Sequence, residues 1–497
     1  MSSILSLPEL HSASYRPSVN EKCGVFGIYN KPGVARDVFY GIFALQHRGQ
    51  DSAGIAVADG NEILVHKGQG LVTTVFHEDA IIDALCEGHI GVGHTRYATS
   101  GGSTIQHAQP VDRFDGIVVV HNGNLPVTDL LQTFLSDKKI NIDGCNDTEL
   151  MTAALWYYMH KQGRSLPDAI TEAFPLFTGV FSLLVMTKDS IAAVRDQCGI
   201  RPLSLASFGE GYAFASETCA FDLIGAKFIR DVVAGELVWV DSHGLHRRQI
   251  VTPDQRLDIF EFVYFSRPDS ILMGQRVNEV RRRMGKQLAS ENAVDADIVV
   301  PIPDSSIPAA EGFAEYSHIP YCNGLIKNRY IARTFIQPSE EVRKQTSKMK
   351  LVPLPEQLRG KNIVLVDDSI VRGTTIKYIA RTLREAGVLK IHLVISSPPD
   401  IYPDFYGIDT PDQNKLIAFG RTNDQIKHVL GVDELSYISL GGMIAATGVH
   451  AGQLCTACFT GEYPIDIGNR QSEIVHVKNV VKPASRAKVI SYPQGIY

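Results

Sequence analysis

The run Ile363-Val364-Leu365-Val366-Asp367-Asp368-Ser369-Ile370-Val371-Arg372-Gly373-Thr374-Thr375 decides how the second half of this chain folds. Its four leading apolar residues, mostly β-branched, read as a short strand buried on both faces, as strands of a parallel sheet are. Two carboxylates stand where that strand ends. A Ser/Thr/Gly loop follows, and the apolar spacing predicts a helix from about Ile376 to Ala386, with Gly387 placed to cap its C-terminus. In an open parallel sheet, ligands sit at the carboxyl ends of the strands. Backbone N–H groups of such a loop, and of the helix N-terminus behind it, attract phosphate. Adjacent acids cannot hold phosphate themselves, but they suit ribose hydroxyls and a hard divalent cation. One segment therefore asks for phosphate, sugar and Mg²⁺ together.

Around this run the pattern alternates. Asn278 to Ala293 reads helical, Ile298 to Ile302 as a strand, Ile307 to Tyr316 as a helix and Ile391 to Ile395 as a strand, which is an α/β half built on a parallel sheet. The half before it is dense in short strand-like runs: Ile63 to Val65, Ile117 to His121, Phe181 to Met186, Ile191 to Val194 and Leu237 to Val240. Two helical stretches, Arg36 to Gln46 and Thr148 to His160, interrupt them, the second opened by Asn146 with Glu149 three residues on, a capping arrangement. That half reads as α+β, with sheets and no βαβ alternation. The expected divisions are 1–22, 23–255, 256–470 and a polar, basic tail at 471–497.

Bulk properties narrow the class. A chain of 497 residues exceeds what one core serves. A net charge of −6 argues against a nucleic-acid surface, and no apolar run reaches membrane-spanning length. The eight cysteines are too scattered for a disulfide framework and fit a reducing cytoplasm.

The 363–375 run resembles the phosphoribosylpyrophosphate signature of the type I phosphoribosyltransferases. The resemblance implies that Asp367 and Asp368 hold ribose hydroxyls and Mg²⁺, and that Ser369, Arg372, Gly373, Thr374 and Thr375 line the 5-phosphate site. It further implies that Asp304, Ser305 and Ser306, in Pro301-Ile302-Pro303-Asp304-Ser305-Ser306, form a pyrophosphate loop, with Ser305 a partner of the metal. Lys327 and Arg333, in the basic stretch Lys327 to Phe335, would belong to a lid that neutralises pyrophosphate; a solvated basic surface is the plain alternative.

The first half carries Cys23-Gly24-Val25-Phe26-Gly27-Ile28, Leu45-Gln46-His47-Arg48-Gly49-Gln50-Asp51-Ser52, Gly93-His94-Thr95-Arg96-Tyr97, His121-Asn122-Gly123-Asn124-Leu125 and Asn146-Asp147-Thr148-Glu149. Together these resemble the class II, N-terminal-nucleophile glutamine amidotransferases. The fold so implied is an N-terminal-nucleophile sandwich. An N-terminal cysteine can use its own α-amine as general base, with a pKa of about 8, only if nothing precedes it. Residues 1–22 are therefore expected to be a propeptide removed after Lys22. The resemblance assigns Asn122 and Gly123 to an oxyanion hole, Arg96 to the glutamine α-carboxylate and Asp147 to its α-ammonium. Asp147 could equally be an ordinary acid at a helix start, and Arg48 either closes the glutamine pocket or forms a structural ion pair. His47, His94 and His121 read as scaffold.

Both halves together are similar to the glutamine phosphoribosylpyrophosphate amidotransferase family, a match strengthened by Tyr264-Phe265-Ser266-Arg267-Pro268-Asp269-Ser270 and Tyr406-Gly407-Ile408-Asp409. The implied reaction takes ammonia from glutamine to phosphoribosylpyrophosphate, giving 5-phosphoribosylamine, glutamate and pyrophosphate at the first committed step of purine synthesis. A homotetramer and inhibition by purine nucleotides are implied with it. Some family members hold a [4Fe–4S] cluster on four cysteines; here only Cys455 and Cys458 match, the other two positions reading Asp258 and Asp404. Hard carboxylates argue against a cluster. Asp196-Gln197-Cys198-Gly199 stands where the family has Asp-Pro-Asn/His-Gly. A glutaminase feeding another acceptor, a purine-sensing regulator on a phosphoribosyl fold, and an inactive paralogue are the rival readings.

Overall fold

The computed structural model describes residues 23–30, 33–77, 79–85, 88–96, 105–328, 351–407, 412–476, 489–490 and 492. The expected propeptide, Arg333 with most of its basic stretch, Tyr97, and Ile408-Asp409 lie outside the described residues.

The first half stacks two antiparallel sheets. Its strands are β1 (Gly24–Tyr29), β2 (Ser52–Ala58), β3 (Ile63–Gln69), β4 (Ile90–Arg96), β5 (Val118–Val127), β6 (Thr178–Met186), β7 (Ile191–Arg195), β8 (Ser204–Phe208), β9 (Gly211–Ala215), β10 (Lys227–Asp231), β11 (Glu236–Asp241) and β12 (Gly244–Gln249). One sheet runs β10-β8-β9-β1-β4-β2-β3 and the other β12-β11-β7-β6-β5. Val25, Val92, Val120, Leu184, Phe214 and Val238 meet between them. Helix α1 (Val34–Ala44) covers the outer face of the first sheet, over Phe26 and Ile28. Helix α2 (Asp147–Trp156) covers the second. Central strands are thus buried on both sides, which is why they read as continuous apolar runs and not as alternation. A Cβ on Gly41 would stand 2.4 Å from the Phe26 ring, so α1 can lie this close only with glycine there.

The second half is the expected parallel sheet, β13 (Ile298–Pro301), β14 (Asn362–Asp367), β15 (Lys390–Ile395) and β16 (Glu434–Tyr437), arranged in chain order. On β14 the pleat sends Val364 and Val366 to one face, under helices α3 (Val277–Glu291) and α4 (Ile307–Ser317). Ile363 and Leu365 go to the other, under α5 (Thr374–Glu385). Where α3 crosses α4 the backbones nearly touch: a Cβ on Gly285 would sit 1.8 Å from the Ala309 carbonyl oxygen, and one on Gly312 2.0 Å from that of Arg282.

Helices α1 and α3 are shifted by one or two residues from expectation, and two other helices differ for a local reason. Helix α5 starts at Thr374, two residues before the first apolar position, because Gly373 takes a left-handed φ of 75° and turns the chain into it. The stretch expected as one helix from Thr148 to His160 is α-helical only from Asp147 to Trp156 and closes in a π-helical turn, Tyr157–Lys161. The capping box of Asn146 and Glu149 is present. Gly387, at φ 92°, follows α5 as expected.

The halves are joined by a buried seam. Val180, Cys198 and Ile200 pack with Ile401, Phe405, Tyr406 and Cys455. Asn124 Nδ2 donates to the Phe405 carbonyl at 2.8 Å, and Arg201 Nη2 to that of Tyr406 at 3.2 Å.

Candidate active sites

Cys23, partly exposed, leads directly into β1. A Cβ on the next residue, Gly24, would fall 2.8 Å from Thr95 Oγ1 and 2.9 Å from Leu45 Cβ, so the main chain beside the thiol is closely walled. Strands β1 and β4 pair (Gly24 opposite Thr95) and lie across the sandwich from β5. This packing brings the Cys23 end of β1, the Arg96 end of β4 and the Asn122-Gly123 stretch of β5 into one corner. Arg96 is buried at the end of its strand.

Asn122 is 1% exposed, and among the described residues neither its Oδ1 nor its Nδ2 has a hydrogen-bond partner. A buried amide without partners costs free energy, so something must compensate when the site is filled. Gly123 has φ 155°, and a Cβ there would lie 2.0 Å from the Val180 carbonyl oxygen; no other residue fits. Asp147, first residue of α2, accepts the Leu125 N–H at 3.1 Å and the Thr148 N–H at 2.9 Å, tying the helix start to β5. His121 Nδ1 meets Thr148 Oγ1 at 3.0 Å, and its Nε2 meets the Val180 carbonyl at 3.2 Å. Burial pushes the pKa of His121 down, and that of His94 down to about 3, so both are neutral scaffold histidines.

Of the two places expected for Arg48, the structure shows the ion pair. Arg48 is 1% exposed, and its fork is taken by Glu217 (2.5 Å) and Glu261 (2.8 and 3.0 Å), while Nε donates to the Cys23 carbonyl at 3.2 Å. Four of its five N–H groups are thus committed inside the protein, and Arg48 ties the main chain of Cys23 to Glu261 of the second half. Burial works against the charge of Glu217, but His47 and Arg48 hold that carboxylate well below its usual range. Sequence reading passed over Glu217, Glu261 and Arg201. Their signal was faint: lone charges inside apolar runs, as in Ile259-Phe260-Glu261-Phe262-Val263.

In the second half, Asp367 closes β14 and Asp368, 6% exposed, follows it. Asp368 accepts from the hydroxyls of Ser305 and, at 2.7 Å, Ser369. Burial, then the neighbouring charge of Asp368, hold Asp367 well above the usual carboxylate range; burial also raises Asp368. Ser306 Oγ donates to the Ile302 carbonyl, shaping the turn into α4, and Lys327 Nζ pairs with Asp304. Thr374 and Thr375 are exposed at the start of α5, where helical N–H groups have no intrahelical partner. Gly373 is enclosed, a Cβ there meeting Ile417 at 2.5 Å, and Arg372 is partly exposed beside it. The loops after β13 and β14 therefore converge on one acidic spot with an anion-ready helix end beside it. Two repelling carboxylates and a hydroxyl are a hard-oxygen donor set that suits Mg²⁺. Among the described residues no group of three or more His, Cys, Asp or Glu could hold a metal ion.

The four positions matched to a cluster do come together. Asp258 lies opposite Cys455 in a short parallel pairing, and the carboxylates of Asp258 and Asp404 both push the Cys455 thiol up, after burial itself. The donor set does not fit a cluster. Asp258 is bound by Arg201 at 2.7 Å, Asp404 accepts the Tyr406 N–H at 2.9 Å, and both thiols are held protonated in the core.

Residues 94–222 match the family described as glutamine amidotransferase domain, and residues 269–409 that described as phosphoribosyl transferase domain. Curated relatives named amidophosphoribosyltransferase include that of a Synechocystis strain, 45% identical over 92% of this chain and 93% of its own. Another is that of Mycobacterium tuberculosis, 43% identical over 94% and 90%. The Bacillus subtilis relative is 41% identical over 93% and 98%. Among solved structures, the glutamine phosphoribosylpyrophosphate amidotransferase from B. subtilis, complexed with ADP and GMP, superposes with a TM-score of 0.83 at 40% identity, covering 90% of this chain and 98% of that one. A structure described as the allosteric regulatory enzyme of purine biosynthesis gives 0.84 at 40% identity, covering 92% and 100%.

Proposed function

The chain belongs to the amidophosphoribosyltransferase family, a glycosyltransferase with glutaminase activity at the first step of purine biosynthesis, and from that premise we propose how its residues divide the work. Cys23, freed of residues 1–22, attacks the glutamine amide carbon, its proton passing to its own α-amine. Asn122 Nδ2 and the Gly123 N–H receive the oxyanion, Arg96 the α-carboxylate and Asp147 the α-ammonium. The C–N bond breaks, ammonia leaves with the returned proton, and water hydrolyses the thioester to glutamate. The partnerless amide of Asn122 carries this half: a buried donor kept unpaired at the resting site is what an oxyanion hole requires.

At the second site the loop 304–306 and Lys327, with Arg333, receive pyrophosphate. The 369–375 loop receives the 5-phosphate, and Asp367 and Asp368 the ribose hydroxyls. Mg²⁺, held by Asp367, Asp368 and Ser305 together with substrate oxygens, would supply charge neutralisation on the departing pyrophosphate. Ammonia then attacks ribose C1 as the C1–O bond breaks. The contact of Asn124 and Gly123 with Phe405 and Gly407 supports transfer at the seam, since it sets acceptor-half backbone directly against the oxyanion strand. Glutamate and pyrophosphate release should be equimolar when both substrates and Mg²⁺ are present; glutamate release with no pyrophosphate would contradict the reading.

Purine nucleotides, as ADP and GMP in the Bacillus complex, compete at the phosphoribosyl site in this reading, and the assembly is a homotetramer, testable by sedimentation. The described cysteines are all free thiols, which supports a cytoplasmic setting. Among the described residues no helix is long and apolar enough to cross a membrane.

A further inference from the structure

We propose that Glu261 is a positioning residue that couples the acceptor site to the nucleophile, through Arg48 on one side and Ser266 with Arg281 on the other. The inference rests on the two-site reading above and names how one site senses the other.

Glu261 has no solvent exposure and opens a tight turn, Glu261–Phe265, in an otherwise apolar run. Its Oε1 takes Arg48 Nη2 at 2.8 Å and Arg201 Nη1 at 3.3 Å; its Oε2 takes Arg48 Nη1 at 3.0 Å and Ser266 Oγ at 2.8 Å. Arg48 in turn holds the Cys23 carbonyl. On the far side Arg281 of α3, 3% exposed, donates Nε to the Phe262 carbonyl and Nη2 to that of Ser266, both at 2.8 Å. Helix α3, which carries Arg281, packs on Val364 and Val366 of β14, the strand that ends at Asp367 and leads into Asp368, and the charge of Asp368 acts on that guanidinium. Named in order, Cys23, Arg48, Glu261, Ser266 and Arg281 make a continuous hydrogen-bonded path, and its last four members are buried.

Burying ion pairs is costly compared with apolar packing of similar volume, so fold stability alone does not account for two arginines and a glutamate here. Low dielectric makes such a path responsive, because a change of charge at one end is poorly screened along it. When a cation and an anionic sugar phosphate arrive at Asp368, the balance of charge around Arg281 changes. Its two carbonyl partners, Phe262 and Ser266, lie within and directly after the turn that carries Glu261. A shift of that turn moves the Arg48 fork and, with it, the Cys23 carbonyl.

The test compares Glu261→Gln and Ser266→Ala with the parent full-length enzyme. Three rates are measured: glutamate release alone, glutamate release with phosphoribosylpyrophosphate and Mg²⁺, and pyrophosphate release driven by added ammonia. The parent's stimulation ratio should fall about fivefold or more in Glu261→Gln and by a smaller factor in Ser266→Ala, the scale of ordinary coupling between sites. Ammonia-driven turnover should be unchanged in both, which a general loss of structure would not allow. An unchanged ratio in a folded Glu261→Gln overturns the proposal. Should that variant not fold, Ser266→Ala decides, and an unchanged ratio there overturns it equally. A parent enzyme that releases no glutamate, or shows no stimulation, would instead bring down the two-site reading and this inference with it.

Discussion

Replacing Asn122 by alanine should move activity and stability in different directions. The Asn122 amide is 1% exposed, and both its polar atoms are partnerless among the described residues. Each buried unsatisfied polar group costs about 1–3 kcal/mol, so deleting the amide removes a penalty from the folded state. The small void left behind costs about 1 kcal/mol, which offsets part of that gain. Folding stability should therefore be unchanged or slightly raised, with Tm equal to the parent's or up by a few degrees. Catalysis loses an oxyanion donor, about 3–4 kcal/mol of transition-state stabilisation, so glutamine-dependent kcat should fall by about 10²–10³. Ammonia-driven synthesis does not pass through that tetrahedral intermediate and should be retained. Glutamate release, ammonia-driven pyrophosphate release and a thermal melt on the same preparation give all three numbers. A glutaminase loss below about tenfold, or a marked drop in Tm, would refute the reasoning, because Asn122 would then be bonded in the resting fold.

Cys23→Ala should abolish glutamine-dependent turnover while sparing ammonia-driven turnover, as rates with each nitrogen source would show. Asp367→Asn should lower synthesis by about 10²-fold or more and weaken its response to Mg²⁺, with glutamate release in the absence of phosphoribosylpyrophosphate retained; an Mg²⁺ titration of pyrophosphate release reads this. Asp400 is buried without a hydrogen bond to its Oδ1; burial first, then Asp404 and Asp258, raise its pKa well above the usual value. A carboxyl whose folded pKa exceeds its unfolded value of about 3.9 contributes stability that is lost as pH rises through the folded value. Asp400→Asn should thus gain stability relative to the parent at pH about 8 and lose that advantage near pH about 4, seen by melting both proteins across that range. Intact mass analysis of active enzyme should find Cys23 as the first residue; a retained Met1 at full activity would contradict release of the leader.

Much of this molecule was legible in one dimension. Local chemistry fixed the strand at 363–366, the two acids behind it and the glycine-started helix, because a buried parallel strand, a phosphate-binding loop and a helix start each impose their residue types on neighbouring positions. The same holds for Asn146 with Glu149, where a helix start imposes its capping residues. What sequence could not reach were contacts between residues far apart in the chain. Arg48 could equally be a substrate clamp or a structural ion pair until folding placed Glu217 and Glu261 on its fork, partners 169 and 213 positions away. Asp258 stood only as a replaced cysteine until packing gave it to Arg201, 57 positions away. Electrostatics and burial act through space, so the choice of partner for a charged group is written in no local pattern; it is decided when the two halves close on each other.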